Sequence, residues 1–306
     1  MQARPNEVAG RAKALLAYWG DKTLDEVNGP NCRDFAQKQA NARRKLEDLR
    51  AAISHFIAEG MCREIVKVVL PPKGEPRDRW LTRSEAARLI WSAWRYREVQ
   101  KGKPTGRRSR QHVARFILVA LYTGTRAGAV CGAALQPTEG SGWVDLERGV
   151  FYRRPKGVAE TKKRRPPVRL PSRLLAHMRR WKERRICISH VVEWNGQPVK
   201  DVDKAFRNTV KAAGLGADVT PHVLKHTSIT WSMQRGTSKE DAASFYGTTV
   251  ETIERHYWHH HPDFQADAAE NVAANPSRQK SDRNGRNRHE QTRTGMENVI
   301  DFAKVS

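Results

Sequence analysis

Helical periodicity in this chain runs to Gly60, resumes at Thr82, and is interrupted between them by Val66–Leu70 and then Pro71, Pro72, Lys73, Gly74, Glu75 and Pro76. Three prolines without backbone N–H groups, together with a glycine of high conformational entropy, oppose any helix or inner strand there. No continuous helical bundle can pass through that point. A length of 306 residues suffices for two cores of ordinary domain size. We therefore expect a helical unit over 1–70, a linker over 71–79, a larger unit over 80–270 and a basic tail over 271–306.

Before the break, Ala12–Trp19 gathers Leu15, Leu16 and Trp19 on one face, and Arg43–Gly60 repeats Leu46, Leu49, Ala52, Ile53, Phe56 and Ile57 at helical spacing. Asp21–Pro30 reads as a turn-rich connector. After the break, Thr82 with Glu85 forms a capping-box pattern that opens a helix through Ala86, Leu89, Ile90 and Trp94. His112–Tyr122 is an apolar helix closed by Gly124, and Gly149–Arg154 and Pro167–Leu170 alternate like strands, which makes Pro155–Pro166 the tip of a basic hairpin. Helical patterns follow at Ser172–Arg185, Asp203–Ala213, Pro221–Gln234, Lys239–Tyr246 and Val250–Tyr257. Asn275–Glu290 has the polar, low-apolar composition of disorder, and Glu297–Lys304 carries Val299, Ile300 and Phe302 as a short helix. The fold class expected is mainly α, an N-terminal helical domain plus a mainly helical domain with a small antiparallel sheet.

Lys and Arg number 56 against 33 Asp and Glu, a formal net charge of +23. An excess of this size favours a polyanion, because neutralised phosphates release condensed counterions. The sequence has no apolar run of about 18 residues and no signal-peptide core, so we expect no membrane association and a cytoplasmic, nucleoid-associated protein. Cys32, Cys62, Cys131 and Cys187 lack metal-ligand spacing and are expected to be reduced and buried.

Three segments of the second unit carry chemistry. In Leu121-Tyr-Thr-Gly-Thr-Arg-Ala-Gly128, a helix stops at Gly124 and Arg126 follows in the turn, where a guanidinium can hold a phosphate by two parallel hydrogen bonds. In Thr220-Pro-His-Val-Leu-Lys-His-Thr227, Thr220 reads as the N-cap and Pro221 as the first helical residue. His222 and Lys225 then share a face near a helix N-terminus, which favours an anion. His222 and His226 also share a face, but no third metal ligand stands at suitable spacing. The third segment runs from Phe245-Tyr-Gly-Thr-Thr to Glu-Arg-His-Tyr-Trp-His-His-His261.

In this order the three segments resemble the signature of the tyrosine recombinases, the integrases of phages and integrative elements, whose motifs read TGxR, HxxRH, and LGH followed by a helix ending in tyrosine near YxH. The likeness covers about Trp80–Phe264, and the preceding helical segment is more weakly similar to that family's SAM-like core-binding domain. The resemblance implies that Tyr257 is the nucleophile, forming a 3′-phosphotyrosine while expelling a 5′-hydroxyl, with Arg126 holding the non-bridging oxygens. It implies that His222 bonds the phosphate or manages the phenol proton, and that a hairpin lysine protonates the leaving oxygen. Alignment of Pro167-Val-Arg-Leu170 favours Lys162, with Lys163 and Lys156 as competitors. The resemblance implies chemistry that needs no metal and, since the covalent intermediate conserves the phosphodiester energy, no nucleotide cofactor either. Implied partners are double-stranded DNA at specific recombination sites, clamped between the two domains, a homotetramer on that DNA, and accessory bending or directionality factors. A dedicated N-terminal arm-binding domain is not expected.

Two positions depart from the family pattern. Lys225 stands where a second arginine is usual, offering a point charge in place of a two-pronged donor. Thr248 stands where histidine or tryptophan is usual, and its hydroxyl donates one hydrogen bond without positive charge. Two other readings follow: a recombinase-derived DNA-binding regulator that binds without cutting, and a type IB topoisomerase that relaxes supercoils as a monomer. His259, in the YxH position, is expected to pack near the site, and the run His259–His261 also reads as an incidental metal-binding surface.

Overall fold

The computed structural model describes residues 5–62, 65–74, 78–159 and 164–273. The tail features expected at Asn275–Glu290 and Glu297–Lys304 lie outside the described residues. Contacts divide the chain into two compact units, Met1–Arg77 and Asp78–Ser306.

The first unit holds α1 (Pro5–Trp19), α2 (Gly29–Lys38) and α3 (Ala42–Ala58). Trp19, Val27, Cys32, Phe35, Leu46 and Ile53 form its core, which Val68 of the segment after α3 completes. Helix α2 corrects the expectation of a connector running to Pro30. The Asn28 side chain accepts a hydrogen bond from the Asn31 amide, and Pro30 sits in the first turn. The Gly-Pro pair that reads as a turn is a helix start.

The second unit begins with α4 (Arg83–Arg95), opened by the full capping box of Thr82 and Glu85. A small hairpin of β1 (Val99–Gln100) and β2 (Lys103–Pro104) leads to α5 (Gln111–Thr123). Almost every α5 side chain is buried, so this helix forms the axis of the core, with α4 and the later α9 (Pro221–Met233) packed against it. Buried Arg115 stays satisfied there by donating to the carbonyls of Val191 and Glu193 at 3.0 and 2.8 Å.

After the short α6 (Ala127–Cys131), a four-stranded sheet runs in the order β3 (Ala133–Ala134), β4 (Gly142–Asp145), β5 (Val150–Tyr152), β6 (Val168–Arg169). It is antiparallel except for the β3–β4 rung, and Phe151 pairs with Val144 and Val168 to face the core. The remaining elements are α7 (Ser172–Glu183), the hairpin β7 (Glu193–Trp194) and β8 (Gln197–Pro198), α8 (Asp203–Ala212), α9, α10 (Lys239–Tyr246), α11 (Val250–His256), a 3₁₀ turn at Trp258–His260 and α12 (Ala266–Ala273). The sequence reading did not anticipate α12. Among the described residues, no helix is long and apolar enough to cross a membrane. Cys32, Cys131 and Cys187 are buried thiols, whereas Cys62 is only half-buried.

Candidate active site

Two glycine turns build the site. Helix α5 ends at Gly124 with φ +57°, where an added Cβ would lie 2.3 Å from the Tyr246 ring, so no larger residue fits. The Thr123 hydroxyl braces this turn, 2.7 Å from the Val119 carbonyl and 2.8 Å from the Thr125 hydroxyl. Arg126 is thereby placed at the N-cap of α6, its guanidinium donating to the Arg164 carbonyl at 3.3 Å. Helix α10 ends at Gly247 with φ +61°, where a Cβ would meet Pro166 at 2.7 Å and the Arg164 carbonyl at 2.9 Å. The Gly247 turn therefore closes against the chain entering β6, which Arg126 reaches from the Gly124 turn through the Arg164 carbonyl.

Arg153 ties these pieces together. It is 4% exposed and donates to the carbonyls of Pro166 and Phe245, each at 2.7 Å, and to the Thr125 hydroxyl at 3.5 Å. Burial, and then the charge of Arg126, pull its pKa down to about 10. Sequence reasoning missed this residue, although the signal was present: Phe151 and Arg153 share a sheet face by the period of two, so a core-facing Phe151 predicts an inward cation.

Helix α9 supplies the opposite wall. Lys225 is 7% exposed and donates to the Tyr246 carbonyl at 3.1 Å. Burial first, then Arg126 and Arg153, hold its pKa down at about 8. Desolvation, followed by Lys225 and Arg126, also keeps His222 below the ordinary imidazole value. Arg126, His222 and Lys225 line one open cleft of about 580 Å³, together with Thr220, Pro221 and Arg207; Asp203 is the acidic residue in its lining. Thr220 occupies the N-cap as expected, without a side-chain capping bond.

Tyr257 ends α11 with its phenol 2.7 Å from Nδ1 of His226, and the His226 ring lies 4.6 Å from that of His222. The phenol is thus joined to the cleft through one helical turn of α9. Tyr257 is 6% exposed; burial, and then the charge of Asp78, raise its pKa. Burial and the cations and imidazoles around it depress His226 to about 4, so its ring is the free base at neutral pH. By sequence, His226 stands out only as half of a metal pair with His222. The fold gives it to the tyrosine, and among the described residues no third ligand joins that pair.

The remaining expected residues are less engaged. Thr248 follows Gly247, half-buried, with its amide bonded to the Ala243 carbonyl at 3.1 Å; its hydroxyl has no partner among the described residues. Lys162 and Lys163 lie outside the described residues, and Lys156 is exposed in the hairpin. His259 is exposed and turns to Asp78, 3.9 Å away.

No family model and no curated protein matches the sequence. Solved structures do match in fold. The chain is similar to the Tn1549 transposon integrase in complex with transposon right end DNA, with a TM-score of 0.62 and 18% identity over 89% of this chain and 95% of that one. It is similar to a lambda integrase dimer bound to a COC′ core site (TM-score 0.60, 16% identity, 84% and 89% of the two chains). It is also similar to a lambda integrase tetramer bound to a Holliday junction (TM-score 0.56, 18% identity, 81% and 72%). The chain therefore has the tyrosine-recombinase fold, mainly α with small sheets, as its three motifs led us to expect.

Proposed function

We propose that this protein breaks and rejoins DNA as a site-specific tyrosine recombinase. The observation that carries the reading is the convergence of Arg126, His222 and Lys225 on one cleft, with Tyr257 linked to its rim through His226. The phenol oxygen attacks a backbone phosphorus, the bond to the 5′-oxygen breaks, and a 3′-phosphotyrosine remains. Attack by a 5′-hydroxyl reverses the step, so bonds balance without oxidant or nucleotide. Neutral His226 is placed to take the phenol proton when its own hydrogen resides on Nε2. Arg126 and Lys225 stabilise charge on the non-bridging oxygens, His222 bonds the phosphate, Thr248 adds a neutral donor, and a hairpin lysine, Lys162, Lys163 or Lys156, protonates the leaving oxygen.

The excess of basic residues and the DNA-bound state of the similar integrases support double-stranded DNA as the substrate. The lambda integrase tetramer on a Holliday junction supports action as a homotetramer, and the transposon integrase supports a mobile element as the target; accessory bending or directionality factors and a cytoplasmic setting complete the proposal. Incubation with nicked suicide duplexes, in the absence of metal, tests the reading. A denaturation-resistant adduct that is lost in Tyr257→Phe is expected.

One arrangement favours a second reading. The Lys225 amine is occupied by the Tyr246 carbonyl and Tyr257 is buried, as a DNA-binding regulator without strand cleavage would allow. Specific binding with no adduct would select that reading.

A further inference from the structure

The segment just beyond Tyr257 holds a side-chain cluster that the strand-transfer chemistry does not use. Ligand atoms of Asp78, His259 and His260 all lie within 4.8 Å of one another. Consecutive side chains of a 3₁₀ turn normally diverge by about 120°. Here the rings of His259 and His260 are nevertheless only 3.9 Å apart, and the His259 Nε2 is 3.9 Å from the Asp78 carboxylate. The Nε2 of His260 is buried without a hydrogen-bond partner among the described residues, and the Trp80 ring packs against the His260 ring at 73°, 5.8 Å between centroids. An unpaired buried imidazole nitrogen has a cost that a bound cation removes.

We infer that Asp78, His259 and His260 form a divalent transition-metal site of the zinc class, fastening the turn after the nucleophile to the start of the second unit. Two imidazoles and one carboxylate match the preference of zinc for nitrogen and oxygen ligands, and water completes the tetrahedron. Tetrahedral bonds place ligand atoms about 3.3 Å apart, so the cluster must contract by rotation. The side chains of Asp78 and His259 are 69% and 42% exposed and free to make that movement. The ion is not a participant in strand transfer. Its effect is to restrain Trp258–His260, and with it the position of Tyr257, a consequence that rests on the recombinase reading.

Calorimetric titration of the untagged full chain with Zn²⁺, paralleled by Co²⁺ absorption, tests the site. We expect one ion per chain, a rise in Tm on binding, and affinity weakened at least about tenfold in Asp78→Asn and His259→Gln. His55→Gln, an exposed histidine of the first unit, should bind as wild type does. Sub-stoichiometric binding, or full affinity in both Asp78→Asn and His259→Gln, would overturn the site. Both substituted residues are exposed, and circular dichroism confirms that the variants fold. Repeating the titration in Tyr257→Phe separates this inference from the recombinase reading, because metal binding persists there whether or not DNA is cleaved.

Discussion

The first unit and the cleft of the second handle positive charge in opposite ways. On the first unit, cations meet carboxylates: Arg11 lies 2.5 Å from Asp48, Lys38 2.8 Å from Asp34, and Arg43 3.1 Å from Glu47. In and just beneath the cleft, Arg126, Lys225 and the buried Arg153 donate instead to backbone carbonyls, those of Arg164, Tyr246, Pro166 and Phe245. A carbonyl orients a cation without neutralising it. Three mutually repelling charges are thus fixed in place at a cost in desolvation, which is why each has a lowered pKa. Such an arrangement gains from an anion, whereas the paired surface of the first unit gains little.

The largest expected consequence is at Arg126. Arg126→Ala should slow strand cleavage about 10²- to 10³-fold while DNA binding is largely retained. A gel-shift assay beside the trapping assay checks this, and equal losses in both would make Arg126 a simple binding residue. His226→Phe should slow cleavage about 10²-fold, the usual weight of one proton acceptor. A wild-type rate in single-turnover cleavage would remove His226 from the mechanism.

Lys225 makes the charge of the cleft depend on pH. Its folded pKa of about 8 lies below its ordinary value, so the charge that the proposed mechanism directs at the phosphate is lost as pH rises through about 8. Cleavage should therefore decline there in wild type and persist in Lys225→Arg, which we expect to be about tenfold faster at pH 9. The stability effect has the opposite sign. The unfolded chain holds this proton more tightly, so the residue's contribution to stability grows as pH rises from about 8 towards the ordinary lysine value. Lys225→Met should accordingly match or exceed the wild-type Tm at pH 7, and a clear drop would show that the bond to Tyr246 outweighs the buried charge. The smallest effect is expected on the first unit, where Arg44→Ala, which breaks contacts to Glu47 and Asp48, should change stability by less than about 0.5 kcal/mol in urea unfolding.

Local rules made much of the fold legible. Thr82 with Glu85, the stop at Gly124 and Pro221 after Thr220 each act within one helical turn, and each stands where the pattern placed it. Helix α2 was missed because Gly29-Pro30 has the same composition in a turn and in a first helical turn, and only the Asn28 cap distinguishes them. The site was less legible because it is tertiary. Arg153 and Phe245 are 92 positions apart, and Tyr257 and His226 are 31 apart. No spacing rule reaches across such separations. Motifs therefore nominated Arg126, His222, Lys225 and Tyr257, while the residues that hold or pair with them emerged only from packing.

In the proposed mechanism Tyr257 forms the covalent bond to DNA. Proteolysis of the trapped complex, followed by mass spectrometry of the nucleotide-bearing peptide, tests it most directly. A 3′-phosphonucleotide is expected on the peptide containing Tyr257 and none in Tyr257→Phe. A nucleotide carried by Tyr246 or by any other tyrosine, or an adduct undiminished in Tyr257→Phe, would contradict it.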